Sequence, residues 1–190
     1  MQTNTDRDRQ ATFFDLMRTR RVTRQFSDRP VSREQIERIL ESARWAPSGG
    51  NRRLNLYIVL QDPVMIRKIR AISPGMLPVP PAIVLICLDT AKAVSLGFRY
   101  WEQASAYVDL GTALENMLLT AHALGLGACP MMSFHRPAAQ LLLDLPKSLV
   151  PEVMVLLGEP VSPRRVRSRP VNINEFTYWE RYEPDGAERG

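Results

Sequence analysis

The stretch RRVTRQFSDRPVSREQIERILESARWAPSGGN, residues 20–51, joins an arginine-rich turn, a helical pattern and a glycine-containing loop. Ser32 followed three residues later by Gln35 forms a capping box, which predicts that a helix begins here. Adjacent glycines in the loop let a backbone approach a ligand closely. Asn51 beside them offers two donors and an acceptor, which suit the edge of a planar heterocycle. The stretch therefore predicts a helix with a candidate binding segment at each end.

Outward from this stretch, helical and strand-like patterns alternate along the chain. A polar tail over residues 1–10 precedes a helix that is expected to end near Arg20. Further helices are predicted over residues 62–72, 101–125 and 137–145, and strands over residues 54–60, 82–88, 128–134 and 151–160. This mixture predicts one α+β domain over residues 1–190, layered around a single sheet.

Two segments of the chain have more apolar surface than a single chain needs. The helix at 101–125 is apolar on more than one side, which is typical of a helix buried in a core or against another subunit. Residues 160–190 form a proline- and arginine-rich arm that lacks a core of its own. The arm carries the aromatic residues Phe176, Tyr178 and Trp179. We expect these rings to pack on another surface, such as that of a partner subunit.

Composition limits the possible classes of protein. The net charge of +5 comes mainly from clustered arginines, which suit a small phosphorylated ligand at least as well as a nucleic-acid backbone. Cys87 and Cys129 lie in apolar runs and are interpreted as buried, reduced thiols. His122 and His135 have no neighbours at metal-ligand spacing, so no metal site is expected. With neither a secretory signal nor a membrane span, the sequence predicts a soluble, cytoplasmic protein.

Four motifs are candidates for binding, although each also has an ordinary structural explanation. Arginines at 20, 21 and 24 could hold an anion or form a solvated basic turn. PSGGNRR, residues 47–53, could contact a ligand or only reverse the chain. GLGACPMM, residues 125–132, could be a helix cap followed by a strand. RRVRSRP, residues 164–170, could bind a phosphate or be a charged tail.

Taken in this order, the motifs resemble the nitroreductase family of FMN-dependent enzymes, from about Phe14 to the end of the arm. The resemblance implies an α+β fold with a mainly antiparallel sheet flanked by helices, and an intertwined homodimer that binds each FMN between its subunits. It also implies transfer of hydride from NADH or NADPH through FMN to an electron-poor small molecule. Such chemistry needs no side-chain acid or base, because the cofactor carries it.

The resemblance assigns roles to particular side chains. Arg20, Arg21 and Arg24 are expected at the FMN phosphate or the pyrimidine edge of its ring. The remaining expected contacts are Arg167 or Arg169 at the phosphate, Ser48, Asn51 and Arg53 near the ring, and Pro130, Met131 and Met132 packed beside the flavin.

The sequence also departs from the family pattern in three places. Val22 stands where a serine is usual, so only its backbone can contact the cofactor. Arg53 replaces a common glutamine, and Leu54-Asn55 replaces Pro-Trp. The alternatives that remain are a specialised dehydrogenase or dehalogenase of the same fold, a flavin-binding protein without turnover, and a basic nucleic-acid-binding module.

Overall fold

The computed structural model describes residues 4–77, 79–98, 103–162 and 171–182. Helices and strands are intermixed along the chain, as expected. The helices are α1 (Asn4–Thr19), α2 (Arg33–Arg44), α3 (Pro63–Ala71), α4 (Thr90–Ser95), α5 (Gln103–Ala123) and α6 (Arg136–Leu142). The strands are β1 (Asn55–Leu60), β2 (Ala82–Asp89), β3 (Gly127–Met131) and β4 (Leu149–Gly158), and short 3-10 turns occupy Gly49–Asn51 and Ile173–Glu175.

The four strands form one antiparallel sheet in the order β1-β2-β4-β3. Side chains of a strand alternate between the two faces of its sheet. On β2, Val84 and Ile86 therefore pack into the core with α2 and α5, whereas Ile83 and Leu85 pack into a second core with α3 and α6. Both cores are closed by helices, which confirms the predicted α+β fold with an antiparallel sheet flanked by helices.

Local signals placed most elements correctly, and two differences are informative. Ser32 and Gln35 form the predicted capping box at the start of α2. The first helix begins at Asn4, so most of the expected polar tail is helical. The segment after residue 90, for which the sequence predicted no helix, contains α4, and the Asp89 carboxylate caps this helix by accepting the Lys92 N–H at 2.9 Å.

The arginine-rich segment after α1 crosses one end of the sheet in an extended conformation. The Thr23 N–H donates to the Ala128 carbonyl at 2.9 Å, and the Ser27 N–H donates to the Glu159 carbonyl at 2.9 Å. This crossing requires a glycine at position 127, where a Cβ atom would lie 2.5 Å from Thr23 Cγ2. The sheet therefore fixes the position of the segment that carries the first arginine cluster.

The described part of the C-terminal arm leaves its aromatic rings in contact with solvent. Phe176 is 65% exposed and Trp179 is 77% exposed. Tyr178 is 41% exposed and contacts the ring of Tyr182, with 4.6 Å between the centroids. None of these rings is buried by the parts of the chain that the structure describes. Among the described helices, none combines the length and the apolar composition needed to cross a membrane.

We predict that Gly127→Ala destabilises the protein by about 1–3 kcal/mol, because the added methyl group overpacks against Thr23. Urea denaturation of the two proteins measures the difference. Thr23→Gly removes the atoms that the methyl group meets. Gly127→Ala should therefore cost less stability when it is added to the Thr23→Gly protein than when it is added to the wild type. A Gly127→Ala protein as stable as the wild type would contradict the proposed close packing.

Candidate functional site

Helix α5 anchors the glycine-containing loop through a polar stripe. Both carboxylate oxygens of Asp109 accept the Gly49 N–H, each at 3.0 Å. Two turns further on, the Asn116 amide donates to the Ser42 carbonyl at 3.0 Å, near the end of α2. A hydrogen bond from a backbone N–H to a charged carboxylate is stronger than one between neutral groups. The loop is therefore held at a defined position on α5.

The structure brings three of the predicted ring contacts together within this loop. The Asn51 N–H donates to the Ser48 carbonyl at 2.9 Å, and Arg53 Nε donates to Asn51 Oδ1 at 2.8 Å. Asn51 and Arg53 both have left-handed backbones, with φ of 54° and 49°. Such conformations cost on the order of 1–3 kcal/mol for residues other than glycine, and they concentrate at functional sites. Lys92 Nζ supports the turn by donating to the Arg53 carbonyl at 2.9 Å.

The arginines at 20, 21 and 24 make different contacts. Arg20 Nε lies 3.1 Å from Glu115 Oε1, yet it is buried and makes no well-directed hydrogen bond. Arg21 Nη1 donates to the carbonyls of Arg18 and Arg20, at 2.6 and 2.7 Å. Arg24 is exposed and lines a shallow depression of about 210 Å³. Arg20 and Arg21 thus form one positively charged cluster. Arg24 is close to them in sequence but lines a separate depression.

His122 contributes to the surroundings of Arg20 and Arg21. Its Nε2 atom lies 2.9 Å from Thr19 Oγ1, and the Thr19 hydroxyl donates its hydrogen to the Asp15 carbonyl at 2.5 Å. Since that hydroxyl has no second hydrogen, His122 Nε2 must be the donor to it. Burial, and then the charges of Arg20 and Arg21, lower the pKa of His122 below its usual value. The imidazole is therefore held neutral beside the cluster.

The predicted contacts near β3 differ in accessibility. Met131 is 7% exposed and belongs to the core. Met132 is 56% exposed, and Pro130 is half-buried. Val22 forms an isolated parallel bridge with Ala128, so it is held through its backbone. Arg167 and Arg169 lie outside the described residues.

The arginine cluster and the loop lie on different sides of α5. The loop contacts the helix at positions 109 and 112, whereas Arg20 and Arg21 lie beside it at positions 115, 118 and 122. At 100° and 1.5 Å per residue, the centres of the two stripes are about 120° and about 12 Å apart. A single copy of the chain therefore presents the two halves of the predicted site in different directions.

Several residues that shape the site carried no motif. Asp109, Thr112 and Asn116 form a polar stripe at i, i+3 and i+7 on a helix that is otherwise largely apolar. This spacing could have indicated that one side of α5 binds a polar segment. Glu115, His122 and Lys92 gave no comparable signal, since their partners are distant in sequence. Within the described part of the chain, no group of three or more His, Cys, Asp or Glu side chains could hold a metal ion.

These features define a single-sheet α+β protein with two adjacent, half-buried arginine side chains suited to an anion. Comparison with known proteins identifies it further. The model of the nitroreductase family matches residues 17–91 and 79–159, and the chain belongs to that family. A provisionally named NADH dehydrogenase/NAD(P)H nitroreductase of Archaeoglobus fulgidus is 37% identical over 148 residues, which cover 75% of this chain and 82% of the relative.

Two further matches extend the comparison. The chain is 29% identical over 157 residues to a Bacillus subtilis protein named FMN reductase [NAD(P)H], covering 74% of this chain and 62% of that protein. The crystal structure of a nitroreductase family protein from Clostridium difficile 630 superimposes with a TM-score of 0.76 at 26% identity. That superposition covers 88% of this chain and 98% of the other. The predicted membership of the nitroreductase family is thus confirmed.

We predict that His122 makes the folded protein less stable as the pH falls from about 7 to 5. Because the pKa of His122 is lowered in the folded state, the unfolded chain binds the proton more readily, so protonation favours unfolding. The stability contributed by the neutral ring is present above the unfolded pKa and is lost as the pH falls through the folded pKa. NMR titration should give a midpoint below the usual histidine value, and His122→Gln should weaken the pH dependence of urea denaturation. A midpoint at or above the usual value would contradict the described burial.

Proposed function

We propose that the protein is an FMN-dependent oxidoreductase that takes electrons from NADH or NADPH and reduces a small, electron-poor acceptor such as a nitroaromatic or a quinone. The single observation that carries the proposal is the buried Nε of Arg20, which lacks a well-directed hydrogen bond beside a second arginine. Glu115 at 3.1 Å balances the charge of Arg20 without a well-directed hydrogen bond, so an anionic ligand beside the two arginines would add the hydrogen bonds that the chain does not supply. The names of the two relatives described above support FMN and NAD(P)H as the ligands.

The phosphate of FMN fits the arginine cluster in charge and in hydrogen bonding. Arg20 and Arg21 are adjacent and keep their charge at all accessible pH values, so they can hold a phosphate without competing protonation. Glu115 beside Arg20 keeps that guanidinium group in place at 3.1 Å. Arg24, and Arg167 or Arg169 from the arm, are proposed as further phosphate contacts by resemblance to the family.

The ring of FMN fits the loop. When bound, FMN accepts hydride from the nicotinamide and passes it to the acceptor. Asn51 Oδ1 already accepts a hydrogen bond from Arg53 Nε, so the amide nitrogen of Asn51 is the group that is left to donate to the ring. The fixed charge of Arg53 also favours a negatively charged ring over a neutral one. Ser48 in the same turn, and the exposed Met132 from β3, are proposed to complete the surroundings of the ring.

A homodimer explains why the two halves of the site face different directions. The loop and the arginine cluster of one copy are about 120° apart on α5 and cannot face the same FMN molecule. The loop of one copy and the arginine cluster of a second copy can do so. An exposed stripe on α5 is available for such contact: Ala104, Val108 and Gly111 are all exposed. Gly111 is notable because, among the described residues outside its own stretch of helix, no atom lies within 4 Å of a Cβ built there. A helical glycine costs about 1 kcal/mol relative to alanine, and close approach of a partner would account for it.

The first test is the visible spectrum of the purified protein. We predict a yellow protein that releases FMN on denaturation and loses its colour when NADH or NADPH is added without oxygen. Colourless protein that takes up no added FMN would overturn the proposal. If such a protein bound DNA with steep salt dependence, the nucleic-acid alternative would replace it.

The same prediction extends to variants of the cluster. Arg20→Ala and Arg21→Ala should each lose about 1.5–3 kcal/mol of FMN binding, or roughly tenfold or more in affinity, because a charge-assisted hydrogen bond is removed. Riboflavin, which lacks the phosphate, should bind the variants and the wild type alike. Arg33→Ala serves as the control, since Arg33 is exposed on α2 and pairs with Glu37 at 2.7 Å. Wild-type FMN affinity in both variants would defeat the phosphate assignment.

The dimer has its own test at Gly111. Leucine fits there in a single chain but would collide with a closely packed partner. Gly111→Leu is predicted to weaken dimerisation by about 1–3 kcal/mol, roughly tenfold or more in the dissociation constant, and to lower FMN retention with it. Ala123→Leu, at an exposed position on another side of α5, should change neither. Sedimentation equilibrium measures the dimer, and an FMN-bound wild-type monomer would contradict the shared site.

A further inference from the structure

A second cavity, of about 290 Å³, lies at the end of the sheet opposite the arginine cluster. It is enclosed by α4, the first turns of α5 and the ends of β2 and β4. Much of its wall is apolar and includes Leu54, Leu88, Phe98 and Ala106. Its volume lies at the low end of the range for small-molecule sites, which suits a ligand of about one aromatic ring.

One wall of the cavity carries a buried carboxylate. Glu152 is 5% exposed and sits at a bulge in β4, where the pairing with β2 skips from Val153 to Pro151. Its Oε2 atom lies 3.2 Å from Arg136 Nη2, and its Oε1 atom accepts a long hydrogen bond of 3.3 Å from the Tyr107 hydroxyl. The ion pair with Arg136 balances the charge of Glu152.

Among the described residues, the polar side chains on the cavity wall are Asp89, Thr90, Tyr107 and Glu152, and the hydroxyl hydrogens of Thr90 and Tyr107 are donated to other groups. Tyr107 donates its only hydroxyl hydrogen to Glu152, and burial, with the nearby Glu152 charge, raises the pKa of Tyr107 so that it stays protonated. Thr90 Oγ1 donates to the Ser148 carbonyl at 2.9 Å. Asp89 and Glu152 are carboxylates and have no hydrogen to offer when ionised. These four side chains therefore present acceptors to the cavity.

We propose that this cavity binds a small aromatic cation that carries hydrogen-bond donors, of the arylamidinium or arylammonium class. The apolar wall suits the ring, and the acceptors of the polar wall suit the N–H groups of its substituent. Arg136 balances the charge of Glu152, and the guanidinium group of Arg52 lies against the ring of Phe98 and is not part of the wall. The charge that borders the cavity directly is therefore that of Asp89, which favours a positive ligand. An anion of the same shape would meet acceptors and a like charge, so it is rejected.

This site is separate from the phosphate contacts proposed above. The arginine-rich segment crosses the sheet beside Gly158, whereas the cavity reaches β4 at Val150. Eight residues of strand separate these positions, or about 25 Å. The inference goes beyond the proposed function and does not depend on FMN binding. The cavity is linked to the glycine-containing loop in two ways: Lys92 of α4 supports the turn at Arg53, and the Arg52 guanidinium group lies 4.9 Å from the ring centroid of Phe98 on the cavity wall.

Two probes of nearly the same shape and opposite charge, benzamidine and benzoate, test the proposal. Isothermal titration of the protein as purified is expected to show one saturable benzamidine site, with benzoate binding at least about tenfold more weakly, a difference of about 1.4 kcal/mol. No benzamidine binding, or equal affinity for the two probes, would overturn the proposal.

Matched variants then locate the site. Ala93 lies on the cavity wall and Ala91 is exposed on the same helix outside it, so Ala93→Phe should abolish benzamidine binding and Ala91→Phe should leave it unchanged. Val94 is 75% exposed at the rim, where substitution spares the core. Val94→Lys should weaken benzamidine binding several-fold and Val94→Glu should strengthen it. Benzamidine binding that responds to none of these changes would place the ligand elsewhere and refute the proposal.

Discussion

Helix α5 has to satisfy several sides of its surface at once, and the arrangement of the site follows from this constraint. One side packs against the sheet through residues such as Leu110 and Met117, which are almost fully buried. A second side binds the glycine-containing loop through Asp109, and a third pairs with Arg20 through Glu115. Nearer the start of the helix, this third side continues to Gly111, where it is exposed. A helix packed on a sheet cannot rotate to bring its second and third sides together, so one copy of the chain separates the loop from the arginines.

The loop shows how local strain is offset by tertiary contacts. Left-handed backbones at Asn51 and Arg53 are unfavourable in isolation. The turn persists because Asp109 holds one end of it, Lys92 holds the other, and Arg53 binds Asn51 between them. The outcome is a rigid amide and a fixed positive charge at the surface. Both are properties that a binding site for a planar, electron-accepting ring requires.

Most of the elements could be predicted from sequence because they carry local signals. The capping box at Ser32, the continuous apolar run of β2 and the spacing of apolar residues in α2 depend only on neighbours in the chain. Helix α4 was missed because its signal is a single capping carboxylate, Asp89, ahead of a six-residue helix. For the site, residue types predicted candidate segments, yet they did not show that the side chain of Met131 packs into the core while that of Met132 is exposed. Alternation along β3 decides that point, and it depends on where the strand begins and ends.

The sequence by itself determined the α+β class, the family, and the two segments that carry the arginines and the loop, since each depends on the order and types of residues along the chain. Only the tertiary structure decided that these segments meet different sides of α5, because that requires the rotation of a helix against a sheet. It also decided that Glu152, a carboxylate in an otherwise apolar strand, is buried at a bulge against Arg136 and Tyr107. These three residues are far apart in sequence, and only the packing of α5 and α6 around the edge of β4 brings them together.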